Sequence, residues 1–206
     1  ELNDGQVTIK VVESTLNDLK VEGNTRYSDE YLQWMLEPVK EDAQGGLPRR
    51  SVLQRQLLLI NDNMDLEARS IVQPGDSSDK VNLLIQADDD LPTHLTLDYN
   101  NLGAVSTGRH RLGATFEWGN FTNRADTLTL RYVESDLLNA DTKGVDLFSL
   151  AYRSPLNNVG TNFNFSYANS AFQAGQELQI LDIRGDADVF SLIVDHAVLR
   201  GPDANL

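Results

Sequence analysis

The hydrophobic period of this 206-residue chain changes near residue 90, and no other feature limits its fold as strongly. Beyond that point six segments alternate: Leu95, Leu97, Tyr99; Leu112, Ala114, Phe116, Trp118; Leu128, Leu130, Tyr132; Phe148, Leu150, Tyr152; Phe163, Phe165, Tyr167; and Phe190, Leu192, Val194. A period of two means strands with one apolar face, because successive side chains point to opposite sides. The interleaved positions are largely polar, as in Thr96, Asp98, Asn100 and in Thr127, Thr129, Arg131. Turn formers such as Gly119-Asn120 and Ser154-Pro155-Leu156-Asn157-Asn158 separate the rows, so the strands should form successive hairpins. Five of the six rows end in Tyr or Trp, where an aromatic belt at a membrane interface would lie. Alternation alone fits two folds. In a soluble sandwich the apolar faces of two sheets pack together; in a membrane barrel that face meets lipid and the polar face lines a wet lumen.

Before residue 90 the pattern mixes periods. Val7, Ile9 and Val11 alternate with polar neighbours, and Leu19 and Val21 precede the turn Glu22-Gly23-Asn24; both stretches read as strands. Ser28 followed by Asp29 and Glu30 starts a helix, since its hydroxyl can accept a free N–H and the carboxylates meet the positive dipole end. Tyr31, Leu32, Met35 and Leu36 share one face until Pro38 stops that helix. A second helix from about Arg50 to Asp62 places Leu53, Leu57 and Ile60 on one stripe. Strands from Leu66 to Val72 and from Val81 to Ala87 follow. The order strand, helix, helix, strand, strand implies a compact α+β unit over residues 15–90.

Composition removes several functions. A net charge of −14 without a run of Lys or Arg argues against binding nucleic acid. Cysteine is absent, and His94, His110 and His196 are far apart, so neither a thiolate nor an imidazole metal site is expected. The chain carries no Gly-x-Ser-x-Gly, no His-Glu-x-x-His and no phosphate-cradling glycine loop, so no enzyme and no cofactor are implied. No stretch approaches the length of a transmembrane helix, and the acidic start lacks the basic and apolar regions of a signal peptide. Membrane strands escape such hydropathy tests. Asp88-Asp89-Asp90 reads as a solvated linker in preference to a cation site. Asn120-Phe121-Thr122 and Asn164-Phe165-Ser166 match the glycosylation sequon, one at a turn and the other within a strand, and Asp195-His196 stands at a strand end, not in a catalytic pair.

Particular residues carry a resemblance. Leu19-Lys20-Val21-Glu22-Gly23-Asn24-Thr25-Arg26-Tyr27 resembles the first strand of a POTRA domain, and the helices and strands that come after it are similar to its remainder. Leu95-Thr96-Leu97-Asp98-Tyr99-Asn100-Asn101, then Ser106-Thr107-Gly108-Arg109-His110-Arg111-Leu112-Gly113-Ala114, resembles the opening barrel strands of the hemolysin secretion/activation transporters, the outer-membrane partners of two-partner secretion. Residues 191–206 resemble a segment further along that barrel, with Ala197 and Val198 where the family has Pro and Leu. The resemblance spans essentially the whole chain. It implies an α+β POTRA domain followed by an antiparallel, incomplete transmembrane β-barrel: residues 1–14 as the last strand of a preceding POTRA domain, 15–90 as a POTRA domain and 91–206 as about six first strands.

The function implied by the resemblance is outer-membrane protein translocation. A periplasmic POTRA domain would recognise an unfolded secreted exoprotein, and the barrel, in contact with outer-membrane lipid, would conduct it without cofactor. The same residues leave room for a barrel-assembly factor of the same superfamily, or for a soluble adhesion or carbohydrate-binding sandwich. If the sheet order is that of POTRA domains, Glu67, Ala68, Arg69, Ser70, Ile71 and Val72 form an edge strand open to β-augmentation, with Tyr31 and Trp34 on the neighbouring helix as groove residues. On this view the N–H groups of Arg69 and Ile71 are among those offered to the client. Asp98, Arg111, Glu117, Arg131, Arg153 and Asp195 have inward parity and would line the pore. Asp146, Asp186 and Asp188 have the apolar parity, so in a barrel they must lie beyond the lipid.

Overall fold

The computed structural model describes residues 2–3, 6–7, 13–135 and 144–201. Two compact units emerge, one built on the first part of the chain and one on residues 90–198. At the start, β1 (Leu2–Asn3) pairs antiparallel with β2 (Gln6–Val7). The rest of the strand expected through Ile9 and Val11 lies outside the described residues.

In the first unit β3 (Thr15–Glu22), α1 (Asp29–Met35), α2 (Glu37–Asp42), α3 (Arg50–Ile60), β4 (Leu66–Pro74) and β5 (Lys80–Asp89) follow in order. The sheet order is β3-β5-β4, with β3 parallel and β4 antiparallel to the central strand. Ser28 caps α1 as expected, its Oγ accepting the Tyr31 N–H at 3.2 Å. Pro38 does more than end that helix: α1 stops at Met35, and Pro38 sits in the first turn of α2, where its missing N–H costs nothing. The stripe on α3 is also rotated from expectation, for Gln56, Leu59 and Ile60 are its buried residues. The core closes on Leu32, Leu36, Val39, Ile60 and Ile85, all without exposed surface.

The end of β5 is tied to the loop before α1. The Asp89 carboxylate accepts the N–H groups of Thr25 (2.8 Å), Arg26 (2.7 Å) and Tyr27 (3.0 Å) and the Thr25 hydroxyl (2.6 Å). Burial raises the carboxyl's proton affinity, but those four donors together outweigh it and hold Asp89 below the usual carboxylate range. The reading of Asp88 to Asp90 as a solvated linker is thereby corrected, because Asp88 and Asp89 belong to β5. Gly23 is required at this corner: its φ is +102°, and a Cβ would stand 2.7 Å from the Ala87 carbonyl oxygen.

The second unit is one sheet: β6 (Thr93–Asn100), β7 (Arg111–Gly119), β8 (Thr127–Ser135), β9 (Val145–Pro155), β10 (Thr161–Gln173) and β11 (Arg184–His196). Each strand pairs antiparallel with its chain neighbours, and β6 is not paired with β11, so the sheet stays open. Among the described residues this unit holds no second sheet to cover the apolar face. Leu95, Leu97, Phe190, Leu192 and Val194 stay well exposed. That corrects the soluble-sandwich alternative, in which those residues would be packed.

Candidate functional site

Two features of the fold offer function: the outer edge of β4 and the polar face of the six-stranded sheet.

Which backbone groups β4 presents is set by its ladder. Residues of an antiparallel strand alternate between bonding the partner and facing away. The Gly75 N–H bonds the Lys80 carbonyl at 2.9 Å across the turn to β5, and the register runs without interruption from Pro74 back to Leu66. Gln73, Ile71, Arg69 and Glu67 therefore turn their backbone groups toward β5, while Val72, Ser70 and Ala68 turn theirs outward. Asn61 confirms the phase: its Oδ1 accepts the Ala68 N–H at 2.6 Å and its Nδ2 donates to the Ala68 carbonyl at 3.1 Å. The expectation that Arg69 and Ile71 offer edge N–H groups is thus corrected. The open N–H groups of the edge belong to Ser70 and Val72, between the side-chain clasp of Asn61 and Pro74, which has no N–H.

The side chains around this edge differ from expectation too. Glu67, Arg69, Ser70, Ile71 and Val72 are exposed, whereas Ala68 is buried. The helix against β4 is α3; α1 lies against β3. Tyr31 is 7% exposed and packs between Tyr27 and Trp34, with ring centroids 6.3 and 6.1 Å apart, so it belongs to the core and not to a groove along β4. Trp34 is partly exposed on the same helix.

On the sheet, the register puts Asp98, Arg111, Glu117, Arg131, Arg153 and Asp195 on one face. Asp98 and Arg131 come together across the intervening strand β7. Arg131 donates from Nη1 to Asp98 Oδ1 at 3.0 Å and from Nη2 to Oδ2 at 3.3 Å, and Nη1 also reaches Thr115 Oγ1 at 2.6 Å. Gly113 lies between them: a Cβ there would meet both Asp98 carboxylate oxygens, at 2.5 and 2.7 Å. Asp195 accepts from the side-chain amides of Asn162 (3.0 Å) and Asn164 (2.6 Å). Arg111 stands opposite Asn100 and Ser135, and Glu117 opposite His94 and Thr129, while Arg153 stands opposite Asn164, the residue that donates to Asp195.

The opposite face is apolar through Leu97, Ala114, Leu130, Leu150, Phe165 and Leu192. Because strand direction alternates, its aromatic row ends fall at both margins: Trp118 and Tyr152 at one, Tyr99, Tyr132 and Tyr167 at the other. Asp146, Asp186 and Asp188 gather beyond the second margin, with Asp188 accepting from Tyr167 Oη (2.7 Å) and Asn169 (2.9 Å). The two margins differ in their connections. Residues 120–126 and 156–160 join strands by short turns at the first, while the longer connections 101–110 and 174–183 lie at the second. The turn at 120–126 is tightly specified: Asn120 Oδ1 accepts the Ala125 N–H at 2.9 Å, and buried Asp126 accepts the Thr122 N–H at 2.8 Å and Tyr152 Oη at 2.9 Å. Both sequon asparagines, Asn120 and Asn164, are therefore engaged within the fold. His196 pairs with Thr161 Oγ1 at 2.8 Å. Among the described residues no group of His, Asp or Glu is placed to hold a metal ion.

Sequence reasoning gave no site role to Asn61, Gly113, Thr115 and Asn162, and weighed Asn164 only as part of a sequon. Gly113 alone carried a signal, since a glycine inside an alternating strand marks a close approach.

A family model, haemolysin secretion/activation protein ShlB/FhaC/HecB, matches residues 79–206. The chain belongs to this family. Among curated proteins, the heme/hemopexin transporter protein HuxB of Haemophilus influenzae is 22% identical over 206 residues in strain 86-028NP, covering 100% of this chain and 35% of that protein. The chain thus spans about a third of the length of such relatives. Among solved structures, CdiB from Escherichia coli (TM-score 0.68, 19% identity) covers 92% of this chain and 34% of its own. CdiB from Acinetobacter baumannii (TM-score 0.64, 13% identity) covers 92% of this chain and 35% of its own. This chain shares the fold of the matching part of both, an α+β unit followed by an antiparallel sheet. Among the described residues no helix is long and apolar enough to cross a membrane.

Proposed function

We propose that this chain is part of an outer-membrane transporter that passes a secreted exoprotein to the cell surface. Residues 15–90 are its periplasmic POTRA domain, residues 91–206 are the first strands of its barrel, and residues 1–14 complete a preceding POTRA domain. The observation that carries the reading is the sidedness of the sheet. Outer-membrane barrels have short periplasmic turns and long extracellular loops, and residues 90–92 lead from the α+β unit into β6 at the short-turn margin. That order puts the α+β unit in the periplasm, where a client arrives unfolded.

The client enters as an extended strand on β4. Ser70 and Val72 supply main-chain bonds, while the exposed side chains of Glu67, Arg69, Ile71 and Val72 supply the surface around them. Inside the barrel Asp98, Arg111, Glu117, Arg131, Arg153 and Asp195 line the path, offering both charge signs to a passing polypeptide. No nucleotide or cofactor takes part.

The test uses the full-length transporter in detergent and the unfolded secreted polypeptide encoded beside it. Ser70→Pro or Val72→Pro should weaken binding about tenfold by removing one edge bond and crowding the docked strand. Unchanged affinity in a folded Ser70→Pro protein would overturn the edge reading. Binding of barrel precursors in place of the secreted polypeptide would make the protein an assembly factor.

A further inference from the structure

The polar face holds one arrangement that the transport reading does not need in order to form a wall. Arg131 has its guanidinium pinned by three acceptor contacts, two on Asp98 and one on Thr115. The pair spans β7, and it can do so because Gly113 leaves a notch in which the Asp98 carboxylate lies; a Cβ would intrude to 2.5 Å. Arginine is charged at every working pH and grips carboxylates through two parallel bonds. Left free on a pore wall, Arg131 would hold each acidic side chain of a passing polypeptide. Its terminal Nη1–Nη2 fork is already filled.

We propose that Asp98, seated in the Gly113 notch, masks Arg131 so that acidic stretches of the client slide past this part of the wall. This role rests on the pore reading. Asp98 is a positioning residue here, acting on the client through Arg131.

Single-channel recordings of the full-length protein in planar bilayers, with hexaglutamate as probe and hexalysine as control, test the idea. Asp98→Asn should lengthen hexaglutamate dwell about fivefold, the scale of one exposed ion pair, without lengthening hexalysine dwell. Gly113→Ala keeps both charges but displaces Asp98, so it should change dwell in the same direction. Adding Arg131→Gln to either variant should restore the original dwell. Unchanged hexaglutamate dwell in both single variants, at normal conductance, overturns the masking role. A full-length protein that inserts but carries no current overturns the pore reading itself, and the masking role with it.

Discussion

The two units dispose of apolar surface in opposite ways. The α+β unit turns it inward, so that Leu32, Leu36, Val39, Ile60 and Ile85 have no exposed area. The six-stranded sheet turns it outward, leaving Leu97 at 69% and Leu192 at 71% exposure. The same residue types do both jobs. Arrangement, not content, therefore decides which solvent a unit expects: a closed core suits water, and a continuous apolar face with a polar reverse suits lipid outside and water within. The edges differ in the same sense. On β4 the exposed ladder is cut short by Asn61 and Pro74, a common protection against unwanted strand pairing. Among the described residues β6 and β11 each leave one edge of the sheet unpaired.

The sharpest way to break this comparison is a substitution that only one unit should feel. Ile85→Ala empties part of the closed core and should cost about 2–5 kcal/mol in the α+β unit, read by denaturant unfolding. Leu97→Ala on the sheet should have a much smaller effect in the same measurement. Leu130→Arg should cost about 2–4 kcal/mol when the full-length protein is refolded into lipid vesicles, because the charge then faces hydrocarbon. Thr129→Arg, one residue away on the polar face, should refold almost normally, and equal damage from both would refute the assignment of faces. Arg69→Pro should destabilise the α+β unit by about 1–3 kcal/mol, since it breaks the ladder to β5 and orphans an acceptor. Ser70→Pro should instead leave stability nearly intact and reduce client binding.

The smallest expected effect is a pH dependence confined to the α+β unit. The proton affinity of Asp89 is lower in the folded state than in the unfolded chain, so its contribution is complete above the ordinary carboxylate range and is lost as pH falls through the folded value. Asp42, held down by Arg49, and Asp79, held down by the Ser77 hydroxyl, act in the same direction. Acid unfolding of Asp89→Asn should start from lower stability at neutral pH and converge with the parent below about pH 4. A constant gap at every pH would show that Asp89 acts through something other than its charge.

Much of this protein can be read in the order of its residues. The six alternating rows become six strands, and parity alone puts Asp98, Arg111, Glu117, Arg131, Arg153 and Asp195 on one face, because side chains alternate along any strand. The Ser28 cap is equally local. Where an outcome depends on contacts distant in sequence, the residues fall silent. Pro38 is compatible with ending one helix or beginning another, and the short α2 has too few residues for a periodic stripe. Tyr31 shares the apolar face of α1, which favours the core over a groove, and the packing of α1 against β3 decides it.

Local chemistry thus determined strand period and face parity, since each depends on near neighbours alone. The tertiary structure decided which backbone groups of β4 face outward, because that phase is set by pairing with β5 and by the reach of Asn61 to Ala68. It also decided which charges meet. Asp98 and Arg131 are separated by 33 positions, and only the register of β6, β7 and β8, with a glycine at the crossing point, brings their side chains into contact.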